Sequence, residues 1–398
     1  MKNTLNQHLF NATKIVAAAF VVSGIFSSCT KSSATANTGP VLPAEAIRGT
    51  TLNGGNVKGV MLTDSTYTIN GDITVLKGDT LSVQPGATIN VPGNHAFYIQ
   101  GTLLSLGTQQ QPVVFQSPTA LPGQWGGFQA DSAQGITVKW TKILWAGGPD
   151  STGGTRQTIG ISTPIDVDIE DSWFIGGQDN SIGVYSTATV TILRNTFQGN
   201  GTTDGDCIDF HSGVTGTVAY NVLWGSAGSA IKVFTSATIK NPQTDVTVYN
   251  NTCIDNGFRR GAAEPGRGIL VDAFSTGKFY NNLLVNNYYS LDITPTSEFS
   301  TVQYGNNYFY ATVDSLVTNF YPVGSKGVPQ TSDIISQTTG ANDPMFVNYT
   351  PPPNPSLRIM PPAYDFHLKA GSPALGKGNP TYNNDIGAYT SDGKGNLH

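Results

Sequence analysis

The chain has 398 residues, 46 of them glycine, which is about 12 % against a usual level of about 7 %. Only 12 % are charged and 38 % are hydrophobic, which excludes a coiled coil, while aromatic residues throughout exclude an acidic disordered chain. A formal net charge of −5 argues against a nucleic-acid partner, and what remains is a turn-rich β protein long enough to bury a large core.

The first residues read as an address. Lys2 and Lys14 flank a polar start, and Ile15 to Phe26 form an apolar run of signal-peptide length, too short to span a bilayer. The run ends in Ile25-Phe26-Ser27-Ser28-Cys29, which resembles a bacterial lipobox. That resemblance implies a signal peptide over 1–28 and a lipid on Cys29, so the protein is expected to be exported and held to the outer membrane by its anchor alone. Residues 30–33 (Thr-Lys-Ser-Ser) lack an acidic cluster, so the periplasmic and surface faces both stay open. Loss of Lys2 and Lys14 with the leader would take the formal charge from −5 to −7. Residues 29–46, rich in Ser, Thr, Ala, Asn, Gly and Pro, read as a flexible tether, and 47–398 as one elongated domain expected to be monomeric. Cys207 and Cys253 lie in strand-like segments and are expected as two separately buried thiols, and the lack of any Cys-x-x-Cys pair leaves a structural zinc site without support.

The body repeats. Thr191-Ile-Leu-Arg-Asn195-Thr-Phe197 is followed by Thr217-Val-Ala-Tyr-Asn221-Val-Leu223 and Thr247-Val-Tyr-Asn-Asn251-Thr-Cys253. Lys278-Phe-Tyr-Asn-Asn282-Leu-Leu284 and Val302-Gln-Tyr-Gly-Asn306-Asn-Tyr308 continue the series, with Asp168-Ile-Glu-Asp171-Ser-Trp173 as an earlier, degenerate copy. The asparagines step by 26, 30, 31 and 24 residues. Short β-branched and aromatic runs at that period, with no amphipathic helix between them, predict the coils of a parallel β-helix. Coils stacked at about 4.8 Å set equivalent side chains over one another. Phe197, Leu223, Cys253 and Leu284 are then expected as an inward file, and the asparagines as a structural amide ladder at a bend where left-handed backbone is tolerated.

Asp72 to Gly86, Ile99-Gln-Gly-Thr-Leu103 and Gln124-Trp-Gly-Gly-Phe128 resemble the opening coils of right-handed parallel β-helix proteins of the pectin-lyase-like kind. Asp343-Pro-Met-Phe-Val347, Tyr364-Asp-Phe-His-Leu368, Gly371-Ser-Pro-Ala-Leu375 and Asp385-Ile-Gly-Ala-Tyr389 are similar to the closing segment of exported members of the polysaccharide-lyase-like group. The resemblance implies an all-β, right-handed single-stranded solenoid. It does not choose among the lyases, hydrolases, binding proteins and adhesins built on that architecture.

A second set of strands aligns as Ile182-Gly-Val-Tyr185, Ile208-Asp-Phe-His211, Ile231-Lys-Val-Phe234, Ile269-Leu-Val-Asp272 and Leu291-Asp-Ile-Thr294. If the first residue of each points inward, alternation sends two columns outward: Gly183, Asp209, Lys232, Leu270, Asp292, and Tyr185, His211, Phe234, Asp272, Thr294. In a chain poor in charge, that convergence marks the candidate site. Asp204-Gly-Asp206 and the loop carrying Arg259, Arg260, Glu264 and Arg267 precede two of these strands. Arginine forks suit carboxylates, so the loop suits an acidic sugar chain, with Tyr185, Phe234 and Trp224 as stacking platforms. The bland alternative is a surface ion pair between Asp209 and Lys232, worth under about 1 kcal/mol.

Two reactions fit the columns. β-Elimination from a uronate needs a base and a cation beside the substrate carboxylate. Lys232 is the expected base, its pKa lowered by Arg259, Arg260 or Ca²⁺, with His211 as the alternative acid or base. Asp209, Asp272 and Asp292 are expected to hold Ca²⁺ or orient Lys232. Glycoside hydrolysis would instead draw paired carboxylates from Asp204, Asp206, Asp209 and Asp272. The run Asp204 to His211 resembles polygalacturonase strands, but that family's Gly-His-Gly and Arg-Ile-Lys stretches are missing. A tethered, non-catalytic glycan-binding or envelope protein is the remaining class.

Overall fold

The computed structural model describes residues 45–398; the lipid-anchor assignment at Cys29 and the signal peptide lie outside the described residues. Within them the chain forms three long sheets of eleven, ten and ten strands, and every pairing inside the three is parallel between successive coils. One coil shows the plan: Ile182–Val184 belongs to the first ten-stranded sheet, here the front sheet, Thr189–Leu193 to the second, the flank sheet, and Thr196–Gln198 to the eleven-stranded back sheet. The next coil repeats it at Ile208–Phe210, Thr215–Ala219 and Val222–Trp224. Pairing begins at Ala46, which bridges to Val60, one residue before the expected boundary.

The inside is dry. Phe197, Leu223, Cys253, Leu284 and Phe309 sit in register on successive back-sheet strands, each at most 1 % exposed. Ile182, Ile208, Ile231, Ile269 and Leu291 form the matching file on the front sheet. Cys207 and Cys253 are buried free thiols, as expected.

The bend between flank and back sheets carries the amide ladder. Nδ2 of Asn195 donates to Oδ1 of Asn221 at 3.0 Å, Asn221 to Asn251 at 2.9 Å, Asn251 to Asn282 at 3.1 Å and Asn282 to Asn307 at 3.1 Å. The last rung is therefore Asn307, not Asn306. The left-handed residue is also not the ladder residue but its predecessor: Arg194, Tyr220, Asn250, Asn281 and Asn306 all have φ between 51° and 58°. Asparagine tolerates both jobs, and in an Asn-Asn pair the first turns the chain while the second bonds the neighbouring coil. The ladder continues toward the N-terminus with hydroxyls, Ser172 Oγ accepting from the Thr141 amide at 3.1 Å.

The C-terminal segment does not simply close the end. Phe320 and Tyr321 pack on Phe309 there, at centroid distances of 5.5 and 5.1 Å. Phe346–Asn348 and Asp365–Leu368 then form an antiparallel pair, and Phe346, Phe366, Ala374, Ile386 and Ala388 cluster with Val222, Trp224, Ile254, Leu283 and Val285 of the back sheet. The segment is a strap along that sheet's outer face. Its burial of Trp224 to 1 % exposure removes this residue from the expected sugar platforms.

Candidate functional site

The front-sheet register brings the two expected columns together. Gly183 pairs with Asp209, Asp209 with Lys232, Lys232 with Leu270 and Leu270 with Asp292. In the neighbouring column, the His211 ring lies between those of Tyr185 and Phe234, at centroid distances of 4.6 and 5.1 Å. Two layers result. Tyr185, His211 and Phe234 are partly exposed, whereas the side chains of Asp209 and Lys232 keep only 4 % and 11 % of their surface.

The polar partners follow. His211 Nε2 donates to Asp209 Oδ2 across 2.7 Å, and Asn180 Nδ2 donates to the same oxygen at 2.9 Å. Asp209 Oδ1 has no hydrogen bond; Lys232 Nζ stands 3.9 Å from it. Asn180 also donates to the Tyr185 hydroxyl at 3.0 Å, as does Gln157 Nε2 at 3.2 Å, which holds that ring beside His211. Asn180 Oδ1 accepts from the Asp206 amide at 2.7 Å, and Asp206 Oδ1 in turn accepts from the Ser229 amide. Asn180, Asp206 and Ser229 each precede a front-sheet isoleucine by two residues. That common offset, outside the strands themselves, is the sequence signal that marks Asn180.

Burial works to lower the Lys232 pKa, but the carboxylates of Asp209 and Asp206 outweigh both it and the charge of Arg260, so the net shift is upward. Lys232 is therefore a fixed cation, and the expected lowered pKa of a lysine base is corrected. Asp206 is pushed up by complete burial and by the charge of Asp209, against Lys232 and Arg260. Burial likewise raises Asp179, whose Oδ2 accepts from Thr155 at 2.6 Å. The Tyr185 phenol is raised by burial and by Asp209.

The arginines are committed elsewhere. Arg259 donates to the backbone carbonyls of Asn200 (2.7 Å), Gly201 (3.0 Å) and Gly225 (2.8 Å), and burial beside Arg358 lowers its pKa to about 10. It is a clamp on turns, which withdraws its expected part in binding a substrate carboxylate. Arg260 is divided among Asp204 (3.0 Å), Glu264 (3.1 Å) and Asp206 (3.6 Å). Arg267 pairs with Asp292 at 3.1 Å. Asp272 accepts from Thr294 (2.8 Å) and Thr296 (3.2 Å). Asp209, Asp272 and Asp292 thus have three separate partner sets, so the expected shared Ca²⁺ site is not formed; among the described residues no three His, Cys, Asp or Glu side chains are grouped to hold a metal ion.

Residues 137–309 match the family model described as "Right handed beta helix region", and residues 54–133 match "Pectate-lyase like beta helix domain". With the three parallel sheets, these matches identify the fold as an all-β, right-handed parallel β-helix solenoid. No curated protein and no solved structure matches it.

Proposed function

We propose that the protein acts on a uronate-containing polysaccharide laid across the front sheet, by β-elimination with His211 as the base. The coarse part of this reading, a polysaccharide-related role, agrees with the pectate-lyase-like match. The observation that carries the finer part is the dyad: a partly exposed imidazole bonded at 2.7 Å to a buried carboxylate, between two aromatic rings and beside a buried cation. Donation from Nε2 to Asp209 leaves Nδ1 with the lone pair. Nδ1 takes the C5 proton, the C–H electrons form the C4–C5 double bond, and the C4–O bond breaks, its oxygen leaving with a proton from the imidazolium or from water. Lys232 offsets the charge that builds on the uronate carboxylate as the proton leaves. Tyr185 and Phe234 offer faces for the flanking sugars. Anchoring at Cys29 belongs to the same proposal and would keep this activity at the cell envelope.

Hydrolysis by paired carboxylates is less well supported, because Asp206 and Asp209 are only 2 % and 3 % exposed and lie behind the aromatic column. The test is a panel of uronate polymers followed by ultraviolet absorbance of the unsaturated product and by new reducing ends. A rise in both, abolished in His211→Ala, supports elimination. Reducing ends without absorbance would replace it with hydrolysis, and binding without either would replace it with a glycan-binding role.

A further inference from the structure

A cavity lies away from the front sheet, between the outer face of the back sheet and the C-terminal strap. Its volume is about 960 Å³, at the upper end of the range of ligand pockets. The floor is strand side chains, among them Lys142, Trp173 and Gln198, and the roof is strap residues, among them Tyr364, His367 and Tyr389. No part of the front-sheet chemistry reaches it.

Its lining alternates rings with hydrogen-bonding groups. Trp173 stacks on His398 at a centroid distance of 3.9 Å, with Lys142 Nζ 5.1 Å from the Trp173 ring. On the strap, His367 packs on Tyr389 at 3.9 Å and bonds Asp365 at 2.7 Å, and this pair is open to water, with side-chain exposures of 52 % and 40 %. Burial pushes the His398 pKa down to about 4, so this ring is neutral, and the lining carries both a cation, Lys142, and an anion, Asp365. An apolar ligand would strip water from Lys142, Gln198 and Asp365 without replacing its hydrogen bonds. A highly charged ligand would meet a charge of its own sign in this lining. A molecule with apolar faces and hydroxyl edges satisfies both the rings and the polar groups, and that description fits an uncharged oligosaccharide.

We infer that this cleft is a second saccharide-binding site, separate from the front-sheet site and selective for neutral sugar chains. It would hold the solenoid on one polysaccharide while the front sheet addresses another. Strap and sheet must both be in place for it to exist, so the ligand is expected to stabilise the docked strap.

The test uses the full chain and a panel of soluble neutral oligosaccharides (gluco-, manno- and xylo-oligomers) beside oligogalacturonate, read by titration calorimetry and tryptophan fluorescence. Saturable binding of a neutral oligomer is expected, weakened about tenfold by Trp173→Ala and by Gln198→Trp, which fills the cleft without removing a ring. The same affinity is expected in His211→Ala, while uronate turnover, measured separately, is expected to survive Gln198→Trp. The inference is overturned if no neutral oligomer binds the native protein. It is equally overturned if binding is kept in a folded Gln198→Trp variant or lost in His211→Ala. Failure of uronate turnover in the native chain, with cleft binding intact, would remove the front-sheet reading alone.

Discussion

Asp209 is the middle residue of the strand Ile208–Phe210 and His211 directly follows that strand, its imidazole reaching back to the Asp209 carboxylate across 2.7 Å. Strand alternation puts both on the same face of the sheet. The carboxylate is fixed from two further directions, by Asn180 on the preceding coil and Lys232 on the following one. The solenoid thus supplies a rigid support for an imidazole whose other nitrogen is left for substrate.

His211→Ala is expected to lower turnover of the responsive uronate polymer by about 10²-fold or more, the usual worth of a positioned acid–base group, and to cost about 1 kcal/mol of stability because the buried Asp209 carboxylate loses one of its two hydrogen bonds. Asp209→Asn keeps the shape and removes the charge, so an intermediate loss in kcat with little change in KM is expected. Steady-state kinetics on both variants checks this. Equal activity of His211→Ala and the native protein would take the dyad out of the chemistry.

Lys232 carries a charge felt by both Asp209 and Asp206, and Lys232→Met leaves buried Asp209 without its cation and Asp206 with Arg260 alone. Breaking a buried pair from one side costs about 3 kcal/mol or more. Asp206 already has a raised pKa, so it binds a proton more tightly folded than unfolded, and its contribution weakens as pH rises. In the variant that rise is larger. The loss of stability in urea melts is therefore expected to be greatest in mildly alkaline buffer and to shrink as pH falls and the carboxyls protonate.

Much of this architecture was legible because a solenoid repeats its physics. The alternation in Ile208-Asp-Phe-His211 and its neighbours sets inside from outside, and the spacing of Asn195, Asn221, Asn251 and Asn282 sets the coil. The one-residue slip at Asn306 arose because asparagine serves both the left-handed turn and the ladder, and a pair of them does not say which is which. Partner choice was not legible. Arg259 turns to carbonyls from residues 200, 201 and 225, and Arg267 to Asp292, and both depend on how loops fold over the sheet. The sign of the Lys232 shift was missed for the same reason: Asp206, from the preceding turn, adds its charge to that of Asp209. Trp224 reads as an exposed aromatic until the strap, more than a hundred residues downstream, covers it.

The ladder gives a sharp contrast between adjacent asparagines. Asn251 is fully buried, donates to the Val218 carbonyl (2.9 Å) and Asn282 (3.1 Å), and accepts from the amide (3.1 Å) and side chain (2.9 Å) of Asn221. Asn251→Ala strands several of those groups without water, and a loss of about 3 kcal/mol is expected. Asn306 is instead a left-handed residue with φ 51°, a conformation glycine adopts freely, so Asn306→Gly is expected to change stability by only about 0.5 kcal/mol. Chemical denaturation of the two variants side by side checks the assignment, and the reverse order would refute it.

Asp255 offers a test of linkage away from both clefts. Its carboxyl accepts from Trp224 Nε1 at 3.0 Å and from the Tyr349 hydroxyl at 2.9 Å, joining the back sheet to the strap, and burial pushes its pKa up to about 7. An acid whose folded pKa exceeds its unfolded value binds more protons when folded, so stability is lost as pH rises from about 4 to about 7 and is level above that. Asp255→Asn removes the titration. The amide can accept from Trp224 and donate to Tyr349, and asparagine suits the φ of 55° at this position. The variant is expected to be more stable than the native protein near pH 8, by on the order of 3 kcal/mol, and to show a shallower fall between those two pH values. Thermal melts of both proteins across that range measure it directly; parallel curves for the two would mean that Asp255 is ionised in the fold throughout.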